Sequence, residues 1–259
     1  MLRLSLSLLG PFQVFLDGRP LTSFESSKVR ALLAFLAVEG GRPHPRDVLA
    51  GMLWPERTNS DALANLRYAL YDLRNVIADR EAVPGFLLIN RSSIQLNPQS
   101  DYYLDVAHFK RLTEDLAHPH PDNGAENRDE HCRRLCSAVD LWQGPFLEGF
   151  SVSGSPRFEE WSLLRRENLC HRMGRALQNL VAAHEERREF DQAIRWARRQ
   201  IELEPWDERT HRKLIRLLMR TGQRGAAMRQ YETCRRTLRQ SFGIEPTERT
   251  RMLFERIRN

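Results

Sequence analysis

The side chains best suited to chemistry in this sequence lie in one short stretch, residues 59–77. Arginine, tyrosine and asparagine recur there within a few positions of one another, so that a helix would place them on neighbouring turns. Such side chains hydrogen-bond to phosphate, sugar and base edges, and a single helix has the width of the DNA major groove. The stretch therefore predicts a DNA-reading helix, whose candidate contacts are Asn65, Arg67, Tyr68, Tyr71 and Arg74.

The apolar residues of the same stretch predict how this helix is oriented. They form one narrow stripe that would face a core, composed of Leu63, Leu66, Leu70, Leu73 and Ile77. At 100° per residue, Tyr68 and Tyr71 point away from the stripe. Arg67 and Arg74 lie along one flank, and Asn65 lies along the other. A merely solvated outer face would show the same period, but two tyrosines beside two arginines favour DNA contact.

A second group of candidate contacts follows the helix in a predicted β-hairpin. Residues 86–89 and 94–96 read as strands that flank a polar turn. In that turn Arg91, Ser92 and Ser93 are placed to reach phosphates or the minor groove, where a positive side chain gains from the negative potential. The alternative is that Arg91 only improves solubility. We interpret the hairpin as a wing.

The preceding residues supply the elements that must position this helix and wing. The alternation of Leu2 to Leu8, followed by the Asp17-Gly18 turn, predicts a small sheet. Ser26 and Ser27 offer the N-cap of a first helix that stops at Gly40. A second helix is expected over 46–53, before Trp54-Pro55. Sheet, three helices and a hairpin is the order of a winged helix-turn-helix, assigned to residues 1–100.

Residues 101–259 predict an all-α domain of tetratricopeptide type. Leu180 recurs as Leu214 and Ala193 as Ala227, both after 34 residues, which is the period of tetratricopeptide helix pairs. Residues 118–130 are rich in Pro, His, Asn and acids and lack apolar periodicity, so we expect a flexible insertion there. The predicted fold class is mainly α with a small β component.

The composition indicates where in the cell the protein acts more clearly than it identifies a binding partner. The net charge is +6, but residues 1–100 hold 11 Lys and Arg against 9 Asp and Glu, so total charge alone does not identify a DNA-binding region. No apolar run is long enough for a membrane helix, and we expect no membrane association. Four cysteines without a paired metal motif or a dense disulfide framework fit a cytoplasmic protein.

Catalysis has no recognisable motif in the sequence. The eight histidines form no helical ligand pairs, so we expect no metal site. Neither a phosphate-binding glycine loop nor a nucleophile-elbow motif is present, and no carboxylate pair stands out as an acid and base. We therefore expect a protein that is not an enzyme and binds no cofactor.

Several short strings, in their order and spacing, resemble the antibiotic-regulatory-protein (SARP) type of bacterial transcriptional activator. In that family an OmpR-type winged helix is joined to a bacterial transcriptional activator domain (BTAD). The strings are Leu8-Leu9-Gly10-Pro11-Phe12, Leu53-Trp54-Pro55, Leu70-Tyr71-Asp72-Leu73-Arg74, Leu141-Trp142-Gln143-Gly144-Pro145-Phe146 and Phe242-Gly243-Ile244-Glu245-Pro246. The resemblance implies duplex DNA, RNA polymerase and a second copy of the protein as partners, and promoter activation as the outcome.

Two alternatives stay open at this point. The chain could be the N-terminal regulatory portion of a larger signalling ATPase regulator. It could also be a helical-repeat interaction scaffold whose winged helix binds protein. A salt-dependent interaction with duplex DNA would distinguish the scaffold from a DNA-binding regulator.

Overall fold

The computed structural model describes residues 2–117 and 125–258, which fall into two compact units. The first comprises the chain up to Arg111 together with Leu141–Leu169, and the second comprises Leu112–Asp140 and Cys170–Asn259. The first unit therefore extends beyond the residues 1–100 that the sequence analysis assigned to a winged helix. The domain boundary near residue 100 stays a prediction.

The first unit begins with a sheet in the strand order β3-β2-β1-β7, whose strands are β1 (Leu4–Ser7), β2 (Gln13–Leu16), β3 (Arg19–Pro20) and β7 (Tyr102–Leu104). Leu4 and Leu6 are fully buried while Ser5 and Ser7, which alternate with them, are partly exposed, as the alternating pattern predicts. Asp17 and Gly18 both have positive φ, at 49° and 77°, which a tight hairpin turn requires. Strand β7, which pairs in parallel with β1, was not predicted.

Three helices follow at the predicted places: α1 (Ser27–Val38), α2 (Arg46–Leu53) and α3 (Asn59–Val76). The Ser26 hydroxyl accepts a hydrogen bond from the Val29 N–H at 3.4 Å and caps α1, which confirms the predicted N-cap. Thr58 caps α3 in the same way through the Asp61 N–H. The buried faces of α1 and α3 are largely leucine and alanine, so the three helices share one apolar core.

The hairpin predicted after α3 is present as β5 (Leu87–Ile89) and β6 (Ser93–Leu96). A third strand that the sequence analysis missed, β4 (His44–Pro45), pairs with β6 and completes a small sheet in the order β4-β6-β5. Two residues are too few to show periodicity in a sequence, so β4 is recognisable only from its partner strand.

Residues 141–169 pack against the N-terminal sheet and helices within the first unit. The N–H groups of Gln143, Leu147 and Glu148 donate to the carbonyls of Leu9, Leu8 and Gly10 at 3.1, 2.9 and 2.9 Å. Gly10 has a φ of 136°, and a Cβ placed there would lie 3.3 Å from the Cβ of Gln143. A side chain at residue 10 would therefore be strained and would crowd this junction.

Asp105, the first residue of α4 (Asp105–Leu112), is a buried carboxyl that joins β1 to α4. Its Oδ2 accepts from the N–H groups of Leu8 and Leu9 at 2.7 and 2.8 Å, and its Oδ1 accepts from the Val106 N–H at 2.7 Å. Burial raises the pKa of Asp105 to about 6, although the hydrogen bonds from these N–H groups oppose the rise.

We expect Asp105 to make the folded state less stable as the pH rises from about 4 to about 6. Because its pKa is raised, the folded protein keeps a proton that the unfolded chain has already released. The stability contributed by this group is complete below the unfolded pKa and is lost as the pH passes the folded pKa. The loss should be on the order of 2–3 kcal/mol.

The measurement is urea unfolding of the protein and of Asp105→Asn at several pH values between about 4 and about 7. Asparagine does not titrate, so the difference in free energy of unfolding between the two proteins isolates the carboxyl. A difference that stays constant across this range would show that the pKa of Asp105 is not raised.

The second unit is helical and contains a short 3-10 helix at Glu114–Ala117. Its α-helices are α5 (Ala125–Asp140), the second half of α6 (Pro156–Glu186), α7 (Phe190–Leu203), α8 (Glu208–Arg220), α9 (Arg224–Phe242) and α10 (Glu248–Arg258). The repeat residues Leu180, Ala193, Leu214 and Ala227 are all fully buried. Helix α8 packs against both α7 and α9, and the burial of these four positions agrees with the 34-residue repeat.

Two internal contacts fix the second pair and the helix after it. His211 is fully buried. Its Nδ1 accepts from Gln230 Nε2 at 2.7 Å, and its Nε2–H donates to the Pro205 carbonyl at 2.9 Å. The Phe254 ring of α10 stacks on Tyr231 of α9 with a centroid distance of 4.1 Å. Such aromatic stacking lets α10 cover the end of the repeat.

Most of the predicted flexible insertion, 118–130, lies outside the described residues. Its last six residues, 125–130, form the start of α5. Within the two described ranges, no helix combines the length and apolar character needed to cross a membrane.

Candidate nucleic-acid interface

The outer face of α3 exposes large aromatic side chains, as the sequence analysis predicted. Tyr68 is 74% exposed and Tyr71 is 59% exposed, whereas Leu66 on the opposite side is buried. Arg67 is exposed beside the two tyrosines. The guanidinium of Arg80 lies 5.9 Å from the centroid of the Tyr71 ring. This face therefore combines aromatic rings with positive charge, the mixture that stacks on sugars and pairs with phosphates.

Asn65 lies on the other flank of α3, partly buried in an open cleft of about 520 Å³. Tyr68 lines the same cleft together with Lys28 at the start of α1 and Arg57 in the α2–α3 loop. The Lys28 Nζ lies 5.3 Å from the Trp54 ring centroid. Burial lowers the pKa of Lys28, and Glu56, which also lines the cleft, opposes that shift. Asn65 and Tyr68 are thus adjacent to two cations from other elements.

Arg74 is held differently from Arg67 and makes an ion pair within the fold. Its Nε donates to Asp79 Oδ2 at 2.8 Å, and the Asp79 side chain is 3% exposed. The other oxygen, Asp79 Oδ1, accepts from the Leu87 N–H at 2.9 Å. One buried carboxylate therefore ties the last turn of α3 to the first residue of β5. Arg74 has a structural partner, and its contact with DNA stays a prediction.

The turn between β5 and β6 is organised by Asn90. Its Oδ1 accepts hydrogen bonds from the N–H and hydroxyl groups of both Ser92 and Ser93, at 2.7 to 3.2 Å. The two serine hydroxyls thus close the turn in this structure, and Arg91 is exposed at its tip. Arg46 at the start of α2 donates from Nε to the Asn90 carbonyl at 3.1 Å.

The structure adds four basic side chains to this candidate interface that had not been selected from the sequence. They are Lys28, Arg46, Arg57 and Arg80. Periodicity along α3 could not find them, because they lie on other elements or beyond the end of the helix. Lys28 lies in the first turn of α1, just after Ser26, whose capping of the helix is confirmed. The tertiary fold is what places Lys28 and Arg57 in one cleft with Asn65 and Tyr68.

Taken together, the N-terminal sheet, three helices and β-hairpin define a winged helix, and a helical repeat follows it in the chain. Residues 104–258 match the family model of the bacterial transcriptional activator domain. The chain belongs to this family. The resemblance to SARP-type activators and the predicted fold class are confirmed by this match and by the relatives.

Three curated relatives are similar over most of this chain. Regulatory protein AfsR of Streptomyces coelicolor is 29% identical over 268 residues, which cover 98% of this chain and 24% of AfsR. Transcriptional regulatory protein EmbR of Mycobacterium tuberculosis is 28% identical over 263 residues, covering 98% of this chain and 63% of EmbR. Transcriptional regulator RedD of Streptomyces coelicolor is 27% identical over 231 residues, covering 85% of this chain and 61% of RedD. The chain thus spans less than two thirds of each relative.

A solved structure shares the fold. Mycobacterium tuberculosis EmbR in complex with a low-affinity phosphopeptide superposes with a TM-score of 0.69 at 24% sequence identity. The alignment covers 99% of this chain and 65% of that one. The order of sheet, helices, wing and helical repeat is therefore the fold of EmbR.

Proposed function

We propose that this chain is a sequence-specific DNA-binding transcriptional regulator in which α3 enters the major groove. The observation that carries the proposal is the outer face of α3, where Tyr68 and Tyr71 are largely exposed beside Arg67. Large aromatic side chains that remain in solvent next to a cation suit a ligand with both apolar and anionic surface, such as a DNA groove.

Each candidate has a proposed role that follows from its position. Arg67 reads a base edge or holds a phosphate from the flank of α3, while Asn65 and Tyr68 act beside the phosphate-binding cations Lys28 and Arg57. Arg91 at the wing tip reaches a phosphate or the adjacent minor groove. Ser92 and Ser93 shape the wing first, because their hydroxyls donate to Asn90.

The test compares Arg67→Ala with Arg19→Ala, an equal loss of charge at an exposed site on β3. Arg67→Ala should weaken binding to a duplex selected from a random pool by roughly 1 to 3 kcal/mol, with little change in melting temperature. A base contact would relax preference at one base pair, whereas a phosphate contact would weaken all duplexes and reduce the salt slope by about one. Arg19→Ala should behave like the parent protein.

Fluorescence anisotropy at several salt concentrations, with selected and scrambled duplexes, measures both effects. Leu70→Ala, on the buried face, should instead destabilise the first unit by roughly 2 to 5 kcal/mol. If the folded parent protein binds no duplex at low ionic strength, the chain is not a DNA-binding regulator. Equal binding by Arg67→Ala and Arg19→Ala would remove Arg67 from the interface.

We further propose that the protein activates transcription, that it acts in the cytoplasm and that it catalyses no reaction. The family description and the relatives, which are named as regulators, support a helical domain that contacts RNA polymerase at the promoter. A second copy of the chain as a partner is proposed from the sequence resemblance. Run-off transcription from a promoter that carries the selected site would measure this. Transcript levels that fall on addition of the protein would indicate repression.

A further inference from the structure

The second unit contains a cleft of about 280 Å³ that the proposed DNA interface does not use. It lies between the second half of α6, α7 and α8, and its polar lining includes Gln178, Gln200, Arg209, Lys213 and Arg216. All five side chains carry hydrogen-bond donors, and three of them are cations. A binding partner for this lining must therefore accept hydrogen bonds and carry negative charge.

Gln200 is the observation that separates this cleft from an ordinary charged surface. The residue is 3% exposed, and its amide Nε2 is buried with no hydrogen-bond partner among the described residues. Leaving such a donor unsatisfied costs about 1–3 kcal/mol, so native proteins rarely tolerate it without a ligand or water to accept the bond. Gln200 is among the residues that line the cleft, so we take its amide as the group that a ligand bound there would satisfy.

The cations around Gln200 differ in how far they are already neutralised. Lys213 pairs with Glu185, which also accepts from Arg220 at 3.0 Å. Asp207 is occupied in capping α8, where it accepts from the Arg209 N–H at 3.0 Å. Within the described parts of the chain, the guanidinium groups of Arg209 and Arg216 form no ion pair. These two side chains are therefore available to an anion.

The spacing of the two arginines favours a ligand with more than one acidic group. Arg216 lies seven positions after Arg209 in α8, which is a rise of about 10 Å along the helix axis between their Cα atoms. One small anion such as phosphate would engage one of them, whereas a molecule with two carboxylates engages both and still offers an oxygen to Gln200. The cleft volume suits a small organic molecule.

We propose that this cleft is a binding site for a small polycarboxylate. In the complex, Arg209 and Arg216 pair with separate carboxylates, and the Gln200 amide donates to one of their oxygens. The site lies within the second unit and does not depend on the DNA-binding proposal. An acidic peptide could supply the same carboxylates, and the experiment below distinguishes it from a small molecule.

The experiment is isothermal titration calorimetry of the full chain with citrate at constant ionic strength. Arg216→Gln and Gln200→Leu should each weaken citrate binding by about tenfold or more, since each removes a charge-assisted or buried hydrogen bond. The matched control is Arg198→Gln, which removes the same charge from an exposed position on α7 and should bind like the parent. Gln200→Leu keeps the side-chain size and removes an unsatisfied donor, so it should fold.

Parallel titrations use inorganic phosphate and a hexaglutamate peptide. Citrate binding that is lost in Arg216→Gln and Gln200→Leu, and kept in Arg198→Gln, supports the site. If no citrate binding is detected, or if all three variants bind citrate equally, the proposal is overturned. If phosphate binds as tightly as citrate, the ligand need not be a polycarboxylate and the proposal is overturned. If the hexaglutamate peptide binds and citrate does not, the ligand is an acidic peptide and not a small molecule.

Discussion

Trp161→Ala should destabilise the first unit by about 3 kcal/mol, one of the largest effects we expect from a single substitution. The Trp161 ring packs against Phe35, Phe146 and Phe158 at centroid distances of 5.1, 5.7 and 5.3 Å. Its Nε1 also donates to Glu39 Oε1 at 2.9 Å. The substitution removes an aromatic cluster and a partly buried hydrogen bond together, because both depend on this one side chain.

Hydrogen exchange measured by mass spectrometry locates the effect. Protection of the α1 amides should fall by about two orders of magnitude in Trp161→Ala, since 1.4 kcal/mol corresponds to about one order. Trp206→Ala is the matched control, because Trp206 is half exposed and lies in the second unit. Unchanged α1 protection in Trp161→Ala would mean that residues 141–169 do not share a cooperative core with the helices, and would favour the boundary near residue 100.

Asp79→Ala should cost about 3 kcal/mol, because it breaks a buried ion pair and leaves the Leu87 N–H without its acceptor. The same carboxylate joins α3 to the wing, so DNA affinity should fall further than the loss of folded protein explains. Asp101→Ala is the matched control, since Asp101 makes an exposed ion pair with Arg3 at 3.8 Å and should cost well under about 1 kcal/mol.

Urea unfolding and duplex titration of both variants measure these effects. Arg74→Ala belongs in the same series: we expect it to lower the melting temperature, as Arg67→Ala does not, because Arg74 pairs with Asp79. Equal costs for Asp79→Ala and Asp101→Ala would contradict a structural role for Asp79. If Arg74→Ala loses DNA affinity while its stability is unchanged, Arg74 contacts DNA directly.

The sequence by itself determined the elements that repeat or alternate regularly. The stripe of Leu66, Leu70 and Leu73 predicted both the existence of α3 and which side of it is buried, because helical period and burial follow from one apolar pattern. The 34-residue spacing of Leu180 and Leu214 likewise predicted helix pairs. Tyr68 and Tyr71 could be assigned to the solvent face for the same reason.

Only the tertiary structure decided how distant residues combine. The pairing of β7 with β1, the packing of Trp161 near Phe35, and the cleft that joins Lys28 to Asn65 each depend on contacts between segments far apart in the chain. A local pattern carries no information on such partners. Arg74 and Arg67 illustrate the reason: both lie on one flank of one helix, yet a carboxylate five residues after Arg74 makes it an ion-pair partner and leaves Arg67 exposed.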